Sequence, residues 1–130
     1  MDRAQRPPEG FNQPANAAVL AYLENRSCHS DTGEALAKAA RSNGLGVYCP
    51  EPARYSYVVA HVCGHIIAFA EGMQGFCARL PEPVAAEYLA SGALPVAELP
   101  GWLFFPLFQP PNFERKIATL VQQAASTATA

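Results

Sequence analysis

Two histidines and a cysteine alternate in His61-Val62-Cys63-Gly64-His65, the densest set of chemistry-bearing side chains in the chain. In an extended strand, alternate residues face the same way, so His61, Cys63 and His65 could project from one face. Imidazole and thiolate are ligands for zinc or copper. The spacing sets a condition. Residues two apart on a strand lie about 6.5–7 Å apart, whereas a zinc ion draws its ligand atoms to about 2.0–2.3 Å. Gly64 can also break the alternation and turn His65 to the other side. Completing a site would take His29, Cys28, Cys49 or Cys77. Set against this reading is a plainer one: two histidines on a polar face and a cysteine packed as a small hydrophobe.

Cys28-His29 is a second pairing of nucleophile and base types, though the following Ser30-Asp31 suits the start of a helix. Glu71, Glu82, Glu87 and Glu98 are spread along the chain, and acid–base work needs two carboxyls held close in space. The aromatic residues Phe69, Trp102 and Phe104 could line a pocket for a small apolar molecule. Such residues more often form the core between sheet and helices. No GxGxxG, Walker, GxSxG, HExxH or EF-hand pattern occurs, so no cofactor follows from a motif. Zinc at His61, Cys63 and His65 is the one exception.

These residues depend on the elements that carry them. Residues 1–14 read as a flexible N-terminal tail, 15–124 as a single α+β domain and 125–130 as a fraying C-terminal tail. A first helix is expected over about 14–26, from the spacing of Val19, Leu20 and Leu23. A second begins near Asp31 or Thr32 and stops at Asn43-Gly44. Residues 45–54 read as a loop, with a short edge strand around Val47–Cys49. The stretch from Tyr55 to Leu80 is rich in β-branched and aromatic residues and is punctuated by Gly64, Gly72 and Gly75. It predicts a three-segment antiparallel meander. Glu82–Ser91 reads as a helix closed by Gly92. Trp102–Phe108 reads as a strand, and Asn112 would cap a last helix over Phe113–Gln123. The fold expected is an antiparallel sheet of about four strands, with helices packed mainly on one face and two helices at the N-terminus.

Composition narrows the partners. The chain has 130 residues, 50% hydrophobic and only 15% charged, with a net charge of −2. It has two lysines, Lys38 and Lys116, and no basic run, so nucleic acid is not expected as a partner. No apolar stretch is long enough for a membrane span, and Met1–Gln13 lacks a signal-peptide core. A cytoplasmic protein is expected, with Cys28, Cys49, Cys63 and Cys77 as thiols; no two of them are spaced CxxC. The low charge and the strands apolar on both sides predict a homo-oligomer, a dimer formed through an open sheet face.

The phrase Gly64-His65-Ile66-Ile67-Ala68-Phe69-Ala70 leads across a turn into Phe76-Cys77-Ala78-Arg79-Leu80-Pro81, followed by a strand opening at Trp102 and a closing helix. This order resembles the TfoX N-terminal/YjbR-like small α+β domains over about residues 57–124. The resemblance implies a domain without assigned catalysis and with protein- or DNA-related roles. It carries over no site residues. The expected function is a non-enzymatic binding or interaction module acting as a homo-oligomer. Two alternatives stand beside it. One is a metal-binding or Cys/His enzyme at His61, Cys63 and His65. The other is a binder of small apolar molecules using the aromatic set.

Overall fold

The computed structural model describes residues 8–24, 26–28, 30–51, 56–72, 75–106 and 113–129. In chain order a 3-10 turn at Pro14–Asn16 leads into α1 (Ala17–Leu23), then α2 (Ser30–Ser42), β1 (Gly46–Tyr48), β2 (Val58–Val62), β3 (His65–Glu71) and β4 (Gly75–Arg79). α3 (Glu82–Ala90), β5 (Leu94–Pro95), β6 (Trp102–Pro106) and α4 (Phe113–Thr129) follow. The fold is α+β with an antiparallel sheet, and the sheet has six strands in the order β1-β2-β3-β4-β6-β5, not about four. Of the two strands beyond the expected four, β1 falls at the short edge strand expected around Val47–Cys49, and β5, two residues long, is too brief for a hydrophobic period to mark.

Each boundary has a local cause. Gly44, at φ +71°, lets the chain leave α2 in a left-handed turn. Leu45 N–H then reaches Ala40 C=O and Gly44 N–H reaches Arg41 C=O, the paired bonds of a Schellman end. Gly92, at φ +110°, ends α3 in the same way, with Ala93 N–H on Tyr88 C=O. β2 and β3 are joined by the two-residue turn Cys63-Gly64, with φ of 49° and 85°. Positive φ at both positions is the turn whose twist matches that of paired strands. A β-bulge follows: Ala60 pairs with Ala68 but His61 with Ile66, which leaves Ile67 as the extra residue. Asn112 and Met73-Gln74 lie outside the described residues.

Both faces of the sheet are covered by the chain itself: α2, α3 and α4 lie on one, and the other, expected to be left open for a partner copy, is covered mainly by the N-terminal segment. The first face carries Val58, Ala60, Ala68, Ala70, Phe76, Ala78, Leu103 and Phe105. Its four alanines let helices approach closely. α2 lays Leu36, Ala39 and Ala40 against it, and α4 lays Ile117, Leu120, Val121 and Ala124. α3 closes the rim, with the Tyr88 ring edge-on to Phe105 at 5.3 Å and its O–H donating to Gln123 Oε1 at 2.6 Å. The second face carries Val59, Ile66, Phe69, Cys77 and Trp102. It is covered by Phe11, Val19 and Leu23 from the N-terminal segment and by Leu99 from the β5–β6 loop. This explains why β2 and β6 read as apolar on both sides: each side has a core to fill.

Residues 8–13, which composition assigns to a tail, hold this second layer down. Phe11 is buried, its ring edge-on to Tyr48 at 4.8 Å. Asn16 is fully buried and uses both ends of its amide. Nδ2 donates to Phe11 C=O and Gly64 C=O, and Oδ1 accepts from Ile66 N–H. At the C-terminus α4 continues through Thr129, past the expected end near Gln123. The Ala/Ser/Thr run there keeps helical spacing, since Ala124 is buried and Ala125 packs on the core.

Candidate functional site

The Cys63-Gly64 turn decides how the histidines point. Val62 pairs with His65 and His61 pairs with Ile66. Cross-strand partners share a face and neighbours along a strand alternate, so His61 and His65 fall on opposite faces of the hairpin. Cys63 sits exposed at the tip. The structure therefore brings His61 and Cys63 to one place and sends His65 to another. Among the described residues, no three His, Cys, Asp or Glu side chains are grouped to hold a metal ion. His29 lies outside the described residues. Cys28 and Cys49 meet at Ser56, and Cys77 is buried under the aromatic face.

His61 and Cys63 border a cleft of about 400 Å³. One wall is the loop after α2, with Asn43 and Gly46. The opposite wall is the last turns of α4, with Gln122 and Ser126. The hairpin end closes it. Gly46 is paired with His61 across β1 and β2, and a side chain at Gly46 would occupy the space of the imidazole. The absent Cβ is what lets the ring lie over β1. Gly64 N–H donates to His61 Nδ1 at 3.1 Å, so in the neutral ring the proton sits on Nε2. Burial lowers the His61 pKa, which keeps the ring neutral at pH 7. His61, its ring oriented by the Gly64 N–H, thus borders the cleft together with Gln122 and Ser126. Ser126 also donates back to Gln122 C=O at 3.0 Å.

His65 has a different neighbour. Its Nε2 lies 3.3 Å from the Arg79 guanidinium, which can only donate, so Nε2 accepts. Burial first, and the Arg79 charge second, lower its pKa.

Phe69, Trp102 and Phe104 do share a face. Trp102 and Phe104 alternate along β6, and Cys77, opposite Phe104 on β4, pairs with Phe69 on β3. Phe69 and Trp102 stack at 5.1 Å between centroids, and both are buried. Their surface is taken up by the fold, under Leu23 and Leu99; Phe104 alone of the three stays half-buried.

At one end of this aromatic face is a cluster that spacing did not reveal. The nearly buried carboxylate of Glu71 meets Arg26 at 3.2 Å and accepts a long hydrogen bond from Tyr22 O–H at 3.5 Å. The Arg26 guanidinium also lies over the Tyr22 ring, 4.0 Å from its centroid. Burial, with Glu71 beside it, pushes the Tyr22 pKa up to about 12. Glu71 is 45 positions from Arg26 and 49 from Tyr22 in sequence. Only the sheet's second layer brings them together.

Comparison with protein-family models, with curated proteins and with solved structures finds no match to this chain. No helix among the described residues is long and apolar enough to cross a membrane.

Proposed function

We propose that this chain is a binding module whose ligand, a small polar molecule bearing a hydrogen-bond acceptor, lodges in the cleft beside the β2–β3 hairpin. The observation that carries this reading is His61, its ring fixed by the Gly64 N–H, on the border of a cleft of about 400 Å³. Cavities of this size suit small molecules. Carboxylic acids and amides fit the donors best: the imidazole N–H and the Gln122 amide. The resemblance to TfoX N-terminal/YjbR-like domains is in keeping with a binding role. The test is an amide NMR titration with a panel of small carboxylic acids and amides. Shifts are expected at Gly46, His61 and Ser126, and they should vanish in His61→Ala. A panel that moves none of these resonances sinks the reading.

A second observation favours self-association, by a route other than an open sheet face. No residue of α3 is buried, and its outer side shows Pro83, Ala86, Leu89 and Ala90. Leu89 is 42% exposed and Leu94, on the neighbouring edge strand, 53%. Pro95 lacks the N–H needed to extend the sheet, so two copies would meet helix against helix rather than edge against edge. Light scattering after size exclusion should give a dimer mass that falls to the monomer in Leu89→Glu/Leu94→Glu. A monomer at all concentrations refutes it.

A further inference from the structure

Three loops converge where the 26–28 segment crosses the end of β1. Ser27 bridges to Ser56, and Cys28 bridges to Gly72. Cys28 Sγ donates to Ser56 C=O at 3.5 Å. Cys49 Sγ, from the chain leaving β1, approaches the same carbonyl oxygen at 3.7 Å and lies 3.2 Å from Ser56 Oγ. Two thiols hydrogen-bonded to one acceptor atom are confined to the same few ångströms. Gly33 keeps the space open, since a side chain there would press on Cys28 Sγ and Val58.

We propose that Cys28 and Cys49 are an oxidisable thiol pair that closes to an intramolecular disulfide under peroxide. The two differ in exposure: Cys28 is buried and Cys49 half-buried. Burial, with Cys49 close by, pushes the Cys28 pKa up to about 11, which keeps it a thiol. Cys49 therefore reacts first. Its thiolate attacks one peroxide oxygen, the O–O bond breaks and hydroxide leaves, giving a sulfenic acid. Cys28 sulfur then attacks the Cys49 sulfur. The S–O bond breaks, and the departing hydroxide takes the Cys28 proton and leaves as water. Overall, two thiols and one hydrogen peroxide give one disulfide and two waters. The sulfurs are oxidised and the peroxide reduced. The bond would tie the α1–α2 connection to the end of β1, around α2, and so restrict the unfolded chain.

Cys63 is exposed and Cys77 fully buried, so the experiment uses the full chain carrying Cys63→Ser. Cleavage at Arg26, Lys38, Arg41 and Arg54 puts Cys28 and Cys49 on different tryptic peptides, so the link is read directly. After hydrogen peroxide and alkylation of remaining thiols, the expected product is one Cys28–Cys49 cross-linked peptide pair, two hydrogens lighter than the separate peptides. It should be reversed by dithiothreitol and accompanied by a Tm rise of roughly 5 °C. In Cys28→Ser the cross-link should be replaced by a Cys49 sulfenic acid that dimedone captures. Cys49 over-oxidised while Cys28 remains alkylatable would overturn the pairing, as would a cross-link to Cys77.

Discussion

Asn16 Oδ1 accepts the Ile66 N–H at 3.0 Å, a bond between residues 50 positions apart that fastens the N-terminal segment to the β2–β3 hairpin. Its Nδ2 donates to Gly64 C=O at 2.6 Å and to Phe11 C=O at 2.8 Å, so one buried amide serves three backbone groups. Removing it strands polar groups where water does not reach. Asn16→Ala should cost about 2–3 kcal/mol, read as a lower urea midpoint at unchanged slope. Asn16→Asp keeps the acceptor but sets a carboxylate against two carbonyl oxygens. It should lose more at pH 7 than at pH 4, where a protonated acid can donate. Equal stability of all three proteins would refute the clamp.

Gly64 and Gly44 both have positive φ, at 85° and 71°. Only Gly64 is also crowded. A Cβ there would strike the Glu9 carbonyl oxygen and the Gly10 backbone, whereas at Gly44 nothing stands within 4 Å. Gly44→Ala should therefore cost only the conformational term, about 1 kcal/mol. Gly64→Ala should cost distinctly more and displace residues 8–11 from the hairpin. Chemical denaturation of the pair checks this, and matching losses would contradict the crowding.

The pH dependence follows from His61 and His65, both of whose pKa values are lowered on folding. The unfolded chain, with histidine near 6.5, takes up protons first as pH falls. Stability is thus fully present above that value and declines as pH drops through it toward the folded values. The urea midpoint should fall between pH 7.5 and 5.5, and His61→Gln should flatten part of the decline. A midpoint that rises over this window would reverse the sign and refute the account.

Arg26 and Glu71 should respond unequally to mutation. The Arg26 side chain is 41% exposed and Glu71 11%, so Arg26 can be solvated without its partner and Glu71 cannot. Arg26→Ala leaves a nearly buried carboxylate uncompensated and should cost about 1–3 kcal/mol. Glu71→Gln keeps an oxygen for Tyr22 and should cost less. In Glu71→Gln the Tyr22 phenol should also ionise at lower pH, followed by absorbance at 295 nm, because Glu71 is one cause of its raised pKa.

Much of the meander was legible because its signals are local. β-branched runs mark β2 and β3, Gly64 marks the turn between them, and Gly44 and Gly92 mark helix ends. The second sheet layer was not. Phe11 stands among prolines, glycine and polar residues that read as a tail, and Asn16 stands among alanines without a pattern of its own. Their role depends on bonds to residues 64 and 66. At the site, residue types drew attention to His61, Cys63 and His65, but their directions depended on the turn. Cys63 takes positive φ in a place usually held by asparagine or aspartate, so the alternation that would align His61 with His65 is broken there. Glu71 was visible as a carboxylate; its partners Tyr22 and Arg26 were not, because only tertiary packing joins them.

Strands β2, β3 and β4 are consecutive in the chain, so their pairing closes only short loops, whereas the layer over Phe69 and Trp102 is recruited from residues 11–23 and 96–99. Docking residues 11–23 onto β3 and β6 closes the longer loops, so that segment is expected to join late in folding and to lift away first. Amide exchange is expected to be slow in the meander under α2 and α4 and faster, by local opening, in the N-terminal layer. The form in which it has lifted away keeps its sheet and bares an aromatic surface, and that is the form a protease or chaperone would recognise.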